Sequence, residues 1–278
     1  ASRNPDRAVA CAERLPGLMP GAAHLVHMPA HIYMRLGRYH EAAERNAHAA
    51  EVDRHYLAGR KLSGDYADGY YTHNLHFLWA SLLMEGRSAE AMKVARQLTA
   101  TMREADIRRD SSQVLYLPVP LWTMIRFGQW VALLQELPPP NTFRLKQAIW
   151  RLGRGMALGA SGRVPGAEGE HAALATLAKR FARNRTTEEK TERALIRIAE
   201  RLLAGKIAVH HKHYDAAITA LREAIKLEDA LPYSEPSFWP LPVRHYLGVV
   251  LQKAGQAQEA ETVYRADLIK NPHNGWAE

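Results

Sequence analysis

One pattern recurs along the chain and restricts what it can fold into. An apolar run with helical spacing ends at a glycine, an aromatic residue follows in several units, and small residues recur in the next run. In AHIYMRLGRYHEAAERNAHAAEVD, Tyr33 closes the first run, Gly37 turns the chain, Tyr39 opens the second run, and Ala42 and Ala49 follow. Glycine suits the left-handed residue that ends a helix, and small residues let two helices approach closely. The frame returns with Gly86 and Ala91, with Gly128 and Trp130, and with Gly162 and Ala167. It returns again with Lys212 in place of glycine, followed by Tyr214, Ala217 and Ala224, and finally with Gly255 and Ala260. These units begin near residues 23, 72, 114, 148, 198 and 241. A chain of such units is all-α, and each unit buries its apolar face on its neighbours.

The pattern resembles the tetratricopeptide repeat, a helix–turn–helix unit of about 34 residues. That resemblance implies one right-handed α-solenoid domain over residues 1–278, with longer segments between units near 57–71, 180–197 and 230–240. The polar stretch Arg183 to Arg193 reads as a solvated linker or a helix start. The segment LPYSEPSFWPLP cannot continue a regular helix, because proline removes a donor and restricts its predecessor. It is a candidate cover for part of a groove. The opening NPDRAVACAERLPGLMP reads as the second helix of a preceding unit, and the chain stops just after NPHNGW. Both ends suggest a fragment of a longer chain, or irregular caps.

Composition narrows the function classes. The longest apolar runs fall short of the roughly 18 residues a membrane span needs. The formal charge is +8, from 37 Lys+Arg against 29 Asp+Glu. This excess favours anionic ligands or simply keeps the protein soluble. There is no basic block interleaved with aromatics, so a nucleic-acid partner is not expected. Cys11 is alone, which excludes an intrachain disulfide and a multi-cysteine metal cluster. In a helix it reads as a small hydrophobe. The sequence leaves cytoplasm and periplasm open and does not set an oligomeric state.

The residues that most suggest chemistry are histidines. His24, His27 and His31 are spaced by three and four, so they share one helix face. In the repeat frame they occupy first-helix positions that the resemblance places on the concave surface. His73 and His76 take the matching positions of the second unit, and neighbouring first helices lie about 10 Å apart. The five imidazoles can therefore converge. A buried imidazole needs a partner or a metal, and imidazole nitrogen suits zinc, copper or iron. Tyr33, Tyr70 and Tyr71 are candidate donors around such a site. The alternative is a metal-free groove in which these histidines hold a peptide, a protein or a small ligand.

Further candidates lie downstream. Arg126, Arg151, Arg154 and Arg244 form either an anion-binding wall or pairs with acids between units. His245 falls on a groove position of the last unit. Glu235, in the proline-rich segment, is the candidate catalytic base, and Glu85 is a weaker one. His210, His211 and His213 read as an exposed helix end. The zinc-protease pattern HExxH and a nucleotide-binding glycine loop are absent.

At HLVHMPAHIYMRLGRYHEAAERNAHAAEVD the likeness becomes narrower. The segment is similar to a group of bacterial tetratricopeptide-repeat proteins carrying HLxHMPxHIYxRxGxY. Their Tyr-x-His-Asn-x-His-Phe segment appears here as Tyr71 to Phe77. Their proline-flanked Trp-x-x-Pro-x-Arg appears as Trp239, Pro242 and Arg244, which makes Trp239 a candidate ligand contact. NPHNGW also agrees. The resemblance implies that the five histidines belong together, but it brings no reaction with it. It departs at Ala23, where glycine is usual, and at Ser237, where proline is expected. Two readings follow: a ligand-binding scaffold with a histidine-rich groove, with or without a bound transition metal, or a metal-dependent hydrolase or oxidoreductase.

Overall fold

A computed structural model describes residues 4–58, 66–102, 107, 111–179 and 186–278. Among the described residues the regular structure is helical, and helix–helix contacts run largely between consecutive helices. The chain divides into two compact units, residues 1–109 with 268–278, and residues 110–267.

In the first unit, α1 (Val9–Leu18) packs on α3 (Pro29–Arg35), which follows the short α2 (Ala23–His27). The sequence reads the run from residue 23 to Tyr33 as one helix, whereas the structure breaks it at Met28. Pro29 lacks the N–H that would continue the ladder and sits at the first position of α3. Both pieces keep right-handed helical dihedrals through Met28, so the histidine spacing still works. Next come α4 (Tyr39–Leu57), a π-type turn over Tyr66–Tyr71, α5 (Thr72–Met84) and α6 (Ser88–Ala100). Ala30, Tyr33, Ala42 and Phe77 are buried together, joining α3, α4 and α5 in one core.

In the second unit, α7 (Val119–Arg126) and α8 (Trp130–Gln135) precede α9 (Arg144–Ala160) and α10 (Val164–Lys179). The long α11 (Thr187–His210) pairs with α12 (Tyr214–Asp229), and α13 (Val243–Lys253) leads to α14 (Ala257–Lys270), whose last three residues belong to the first unit. A capping box starts α11: Thr186 accepts from the Glu189 amide, and Glu189 accepts from that of Thr186. The stretch Arg183 to Arg193 therefore enters α11 at Thr187. Its first residues, 183–185, lie outside the described ones. The segment 231–242 is irregular, as its prolines require.

The turn residues explain the repeated pattern. Gly37, Gly86, Gly128, Gly162 and Gly255 all have φ between 62° and 78°, and Lys212 has φ 58°. At each, the following amide reaches back to the carbonyl five residues earlier, as Arg38 does to Tyr33 at 2.9 Å and His213 to Ala208 at 2.9 Å. This is the Schellman termination, which satisfies helix-end carbonyls and needs a left-handed residue. The lysine substitution keeps the geometry at the cost of local strain.

One turn carries an added load. A Cβ on Gly37 would lie 2.1 Å from the carbonyl oxygen of Pro272. The Tyr39 hydroxyl donates to that same oxygen at 2.8 Å, and Trp276 Nε1 donates to the Leu83 carbonyl at 3.2 Å. The NPHNGW segment is thus docked on both turns of the first unit.

Candidate metal centre

Three histidines meet in the first unit. His27 and His31 come from α2 and α3, one helical turn apart, and His73 comes from the first turn of α5. One ligand nitrogen from each lies within 4.8 Å of the other two. This tri-histidine cluster can coordinate a transition-metal ion.

Hydrogen bonding sets the tautomers. Asn46 on α4 donates its Nδ2 to the Ala42 carbonyl at 2.7 Å, so its Oδ1 is the acceptor facing His27. His27 Nδ1 then carries the proton and donates to that oxygen at 2.7 Å. The Nε2 lone pair of His27 is left aimed at His31 Nε2, 3.0 Å away. His31 donates a proton there. Two imidazoles on a tetrahedral ion would hold their nitrogens roughly 3.4 Å apart, so an ion could replace that shared proton with a small shift. A ligating histidine whose other ring nitrogen donates to a fixed oxygen is the arrangement that orients metal sites.

Burial keeps His27 neutral. His27 has no exposed surface. Desolvation lowers its pKa to about 3, against the opposing Asn46 hydrogen bond, and neighbouring histidines add to the shift. Phe77 forms an apolar floor, its ring 5.0 Å from that of His27, 4.6 Å from His31 and 5.4 Å from His73. A dry floor strengthens electrostatic contacts above it.

Of the other two candidate histidines, His24 flanks the cluster and His76 does not. His24 has its ring 5.8 Å from His27 and 4.7 Å from Tyr70. Its Nδ1 is buried and unbonded among the described residues. Burial lowers the His24 pKa, His31 adds to this, and Asp53 opposes it. His76 is drawn away, stacked on Trp79 with centroids 5.3 Å apart. Desolvation, helped by His73, puts its pKa at about 3.

Other sequence candidates have partners elsewhere in the protein. The Tyr71 hydroxyl accepts from Gln97 Nε2 at 2.8 Å. Glu85 binds His40 at 2.9 Å and Arg87 at 3.1 Å, at the surface turn rather than at the histidines. In the second unit, Arg244 makes a two-pronged pair with Asp229 at 2.9 and 2.7 Å. Trp239 is a core residue, 1% exposed, with its indole N–H on the Leu241 carbonyl and its ring against Trp122. Arg126 donates to His245 Nδ1 at 3.3 Å, which leaves His245 Nε2 to donate to buried Asp267 at 2.8 Å. Both nitrogens of His245 are thereby used. Arg151 and Arg154 share Glu170 at 2.9 and 3.0 Å, so they are inter-helix pairs rather than an anion wall. Glu235 also lies in the second unit, with the Tyr233 hydroxyl on its carboxylate. Cys11 is exposed, not a buried hydrophobe.

Two partners escaped the sequence reading. Asn46 orients His27, and Asp53 accepts from Asn74 Nδ2 at 2.7 Å, with both residues fully buried. The signal was present: Asn46 and Asp53 fall on the same α4 face as Ala42, Ala49 and Ala50, which is buried. A polar residue on an alanine face that meets another helix must have a partner there.

No protein-family model and no curated protein matches the chain.

Proposed function

We propose that this chain is a tetratricopeptide-type repeat protein that binds a transition-metal ion on His27, His31 and His73 and presents it to a ligand. The observation that carries this reading is the His27 hydrogen bonding. Nδ1 is committed to Asn46 and Nε2 is directed into the cluster, a posture of little use to a merely packed side chain. A buried, neutral imidazole is ready to ligate without first losing a charge. The repeat frame and the HLxHMPxHIYxRxGxY likeness support the tetratricopeptide assignment, as do the left-handed turns at the six expected positions. Zinc, copper and iron all suit three imidazoles.

A catalytic use is the second reading, favoured by the ligand count. Closed structural sites commonly supply four protein ligands, whereas three leave a position open for water or substrate. A bound ion would supply Lewis-acid or, for copper or iron, redox chemistry. His24 lies beside the cluster, where it is placed either to complete the ligand set or to contact what binds there.

The test is elemental analysis of protein purified without a histidine tag, alongside His27→Ala and His245→Ala. Near-stoichiometric metal, lost in His27→Ala and kept in His245→Ala, is the expected result. Metal-free protein that takes none up on titration would reject the reading and leave a metal-free ligand site.

A further inference from the structure

The other unit holds a second candidate feature, apart from the His27, His31 and His73 cluster. A cavity of about 480 Å³ opens between α10 and α11. Lys179, Arg193, Arg197 and Arg201 line it against a single carboxylate, Glu200, with Ala175 and Ala178 forming an apolar wall. That volume falls in the range of small-ligand pockets.

The charge is poorly compensated. Glu200 is already shared by His171 at 2.9 Å and Arg201 at 3.2 Å, and Arg201 also pairs with Glu223 at 3.1 Å. Lys179, Arg193 and Arg197 have no ion pair within 4 Å among the described residues, and Arg197 acts on Glu200 only at longer range. The chain between Glu170 and Glu188 contains no acid in its sequence. Arg193 Nε is buried without a hydrogen-bond partner among the described residues. Buried donors ordinarily have acceptors, and an unpaired one beside a cationic cavity marks where an acceptor oxygen is stabilised.

The arginines are also regularly placed. Arg193, Arg197 and Arg201 recur every fourth residue of α11, so they share a face with a rise of about 6 Å between neighbours. A guanidinium fork grips a phosphoryl group through two parallel hydrogen bonds. Two successive forks on flexible side chains can converge, each on one phosphoryl group of a diphosphate. A single carboxylate would neutralise only part of the charge.

We infer that the α10–α11 cavity is a binding site for a diphosphate group, held by Arg193 and Arg197 with Lys179 at its rim. The group can arrive as a free anion or on a nucleotide. This inference does not depend on the metal centre.

Calorimetry on the full chain, stripped of metal by chelator and dialysed, tests it with inorganic pyrophosphate, ADP, citrate and acetate at physiological salt. One pyrophosphate per chain is expected, with citrate at least tenfold weaker and acetate silent. Equal affinity for ADP would identify the diphosphate alone as the ligand, and tighter ADP binding would identify a nucleotide. Arg197→Gln, an exposed position, should weaken pyrophosphate at least tenfold without changing the thermal transition. Arg193→Gln should do the same. His27→Ala should bind pyrophosphate normally. Absence of pyrophosphate binding, or binding unchanged in both arginine variants, would overturn the proposal.

Discussion

At the scale of single residues, the centre depends on a hydrogen bond outside the histidine set. Asn46→Ala removes the acceptor for His27 Nδ1–H. A buried donor left unpaired costs about 1–3 kcal/mol, and loss of such an orienting partner weakens metal affinity about 10–100-fold. Chemical denaturation of metal-free protein and competition against a chelator would show both losses. Retained affinity would mean that the α2–α3 backbone alone positions the imidazole. Acid dependence follows from the same burial. The folded His27 and His76 pKa values, at about 3, lie below the unfolded value of 6.5. The unfolded chain therefore binds more protons between those limits. Stability is full above about pH 6.5 and falls as pH drops toward 3, by up to about 1.4 kcal/mol per pH unit for each group. Urea midpoints of metal-free protein from pH 7 to pH 4.5 should decline, and His76→Gln should decline less steeply.

At the scale of elements, the helical hairpins are built on one repeated turn. Lys212 holds a left-handed conformation that five glycines hold elsewhere. Lys212→Gly should therefore stabilise the protein by about 0.5–1 kcal/mol, read as a raised denaturation midpoint. No change would mean that the lysine side chain makes good its backbone strain. Gly37 is the opposite case. Gly37→Ala adds a Cβ at 2.1 Å from Pro272 O, in a conformation already unfavourable for alanine. It should destabilise by at least about 1 kcal/mol and deprotect the backbone of residues 271–276 in hydrogen exchange. Gly162→Ala, with nothing within 4 Å of its Cβ, isolates the strain term. The two variants should differ in that segment.

At the scale of the molecule, the histidine cluster belongs wholly to the first unit. A ligand that binds only the folded form adds RT ln(1 + [L]/Kd) to stability. Zinc added to metal-free protein should slow exchange in α2 to α5 and leave α9 to α12 unchanged. Uniform protection would point to metal bound at scattered surface histidines. Among the described residues no helix is long and apolar enough to cross a membrane.

Local sequence was enough for the hairpins, because a helix-ending turn is a short-range event. Six left-handed positions, including the lysine, were legible from the spacing of glycines and aromatics. The shared face of His27 and His31 was legible for the same reason, since three- and four-residue spacing sets a helix face. Which imidazoles meet is not a local property. His76 has the same repeat frame as His73, yet it stacks on Trp79, because the packing of α5 against α3 and α4 chooses which turn faces the cluster. Asn46 joins the site only when α4 folds back across α3. The NPHNGW segment, remote in sequence from Gly37, docks on that turn through contacts no local pattern encodes. Periodicity thus determined the helices and the chemistry available to them. Packing between helices decided which nitrogens approach, which tautomer each holds, and how dry their surroundings are.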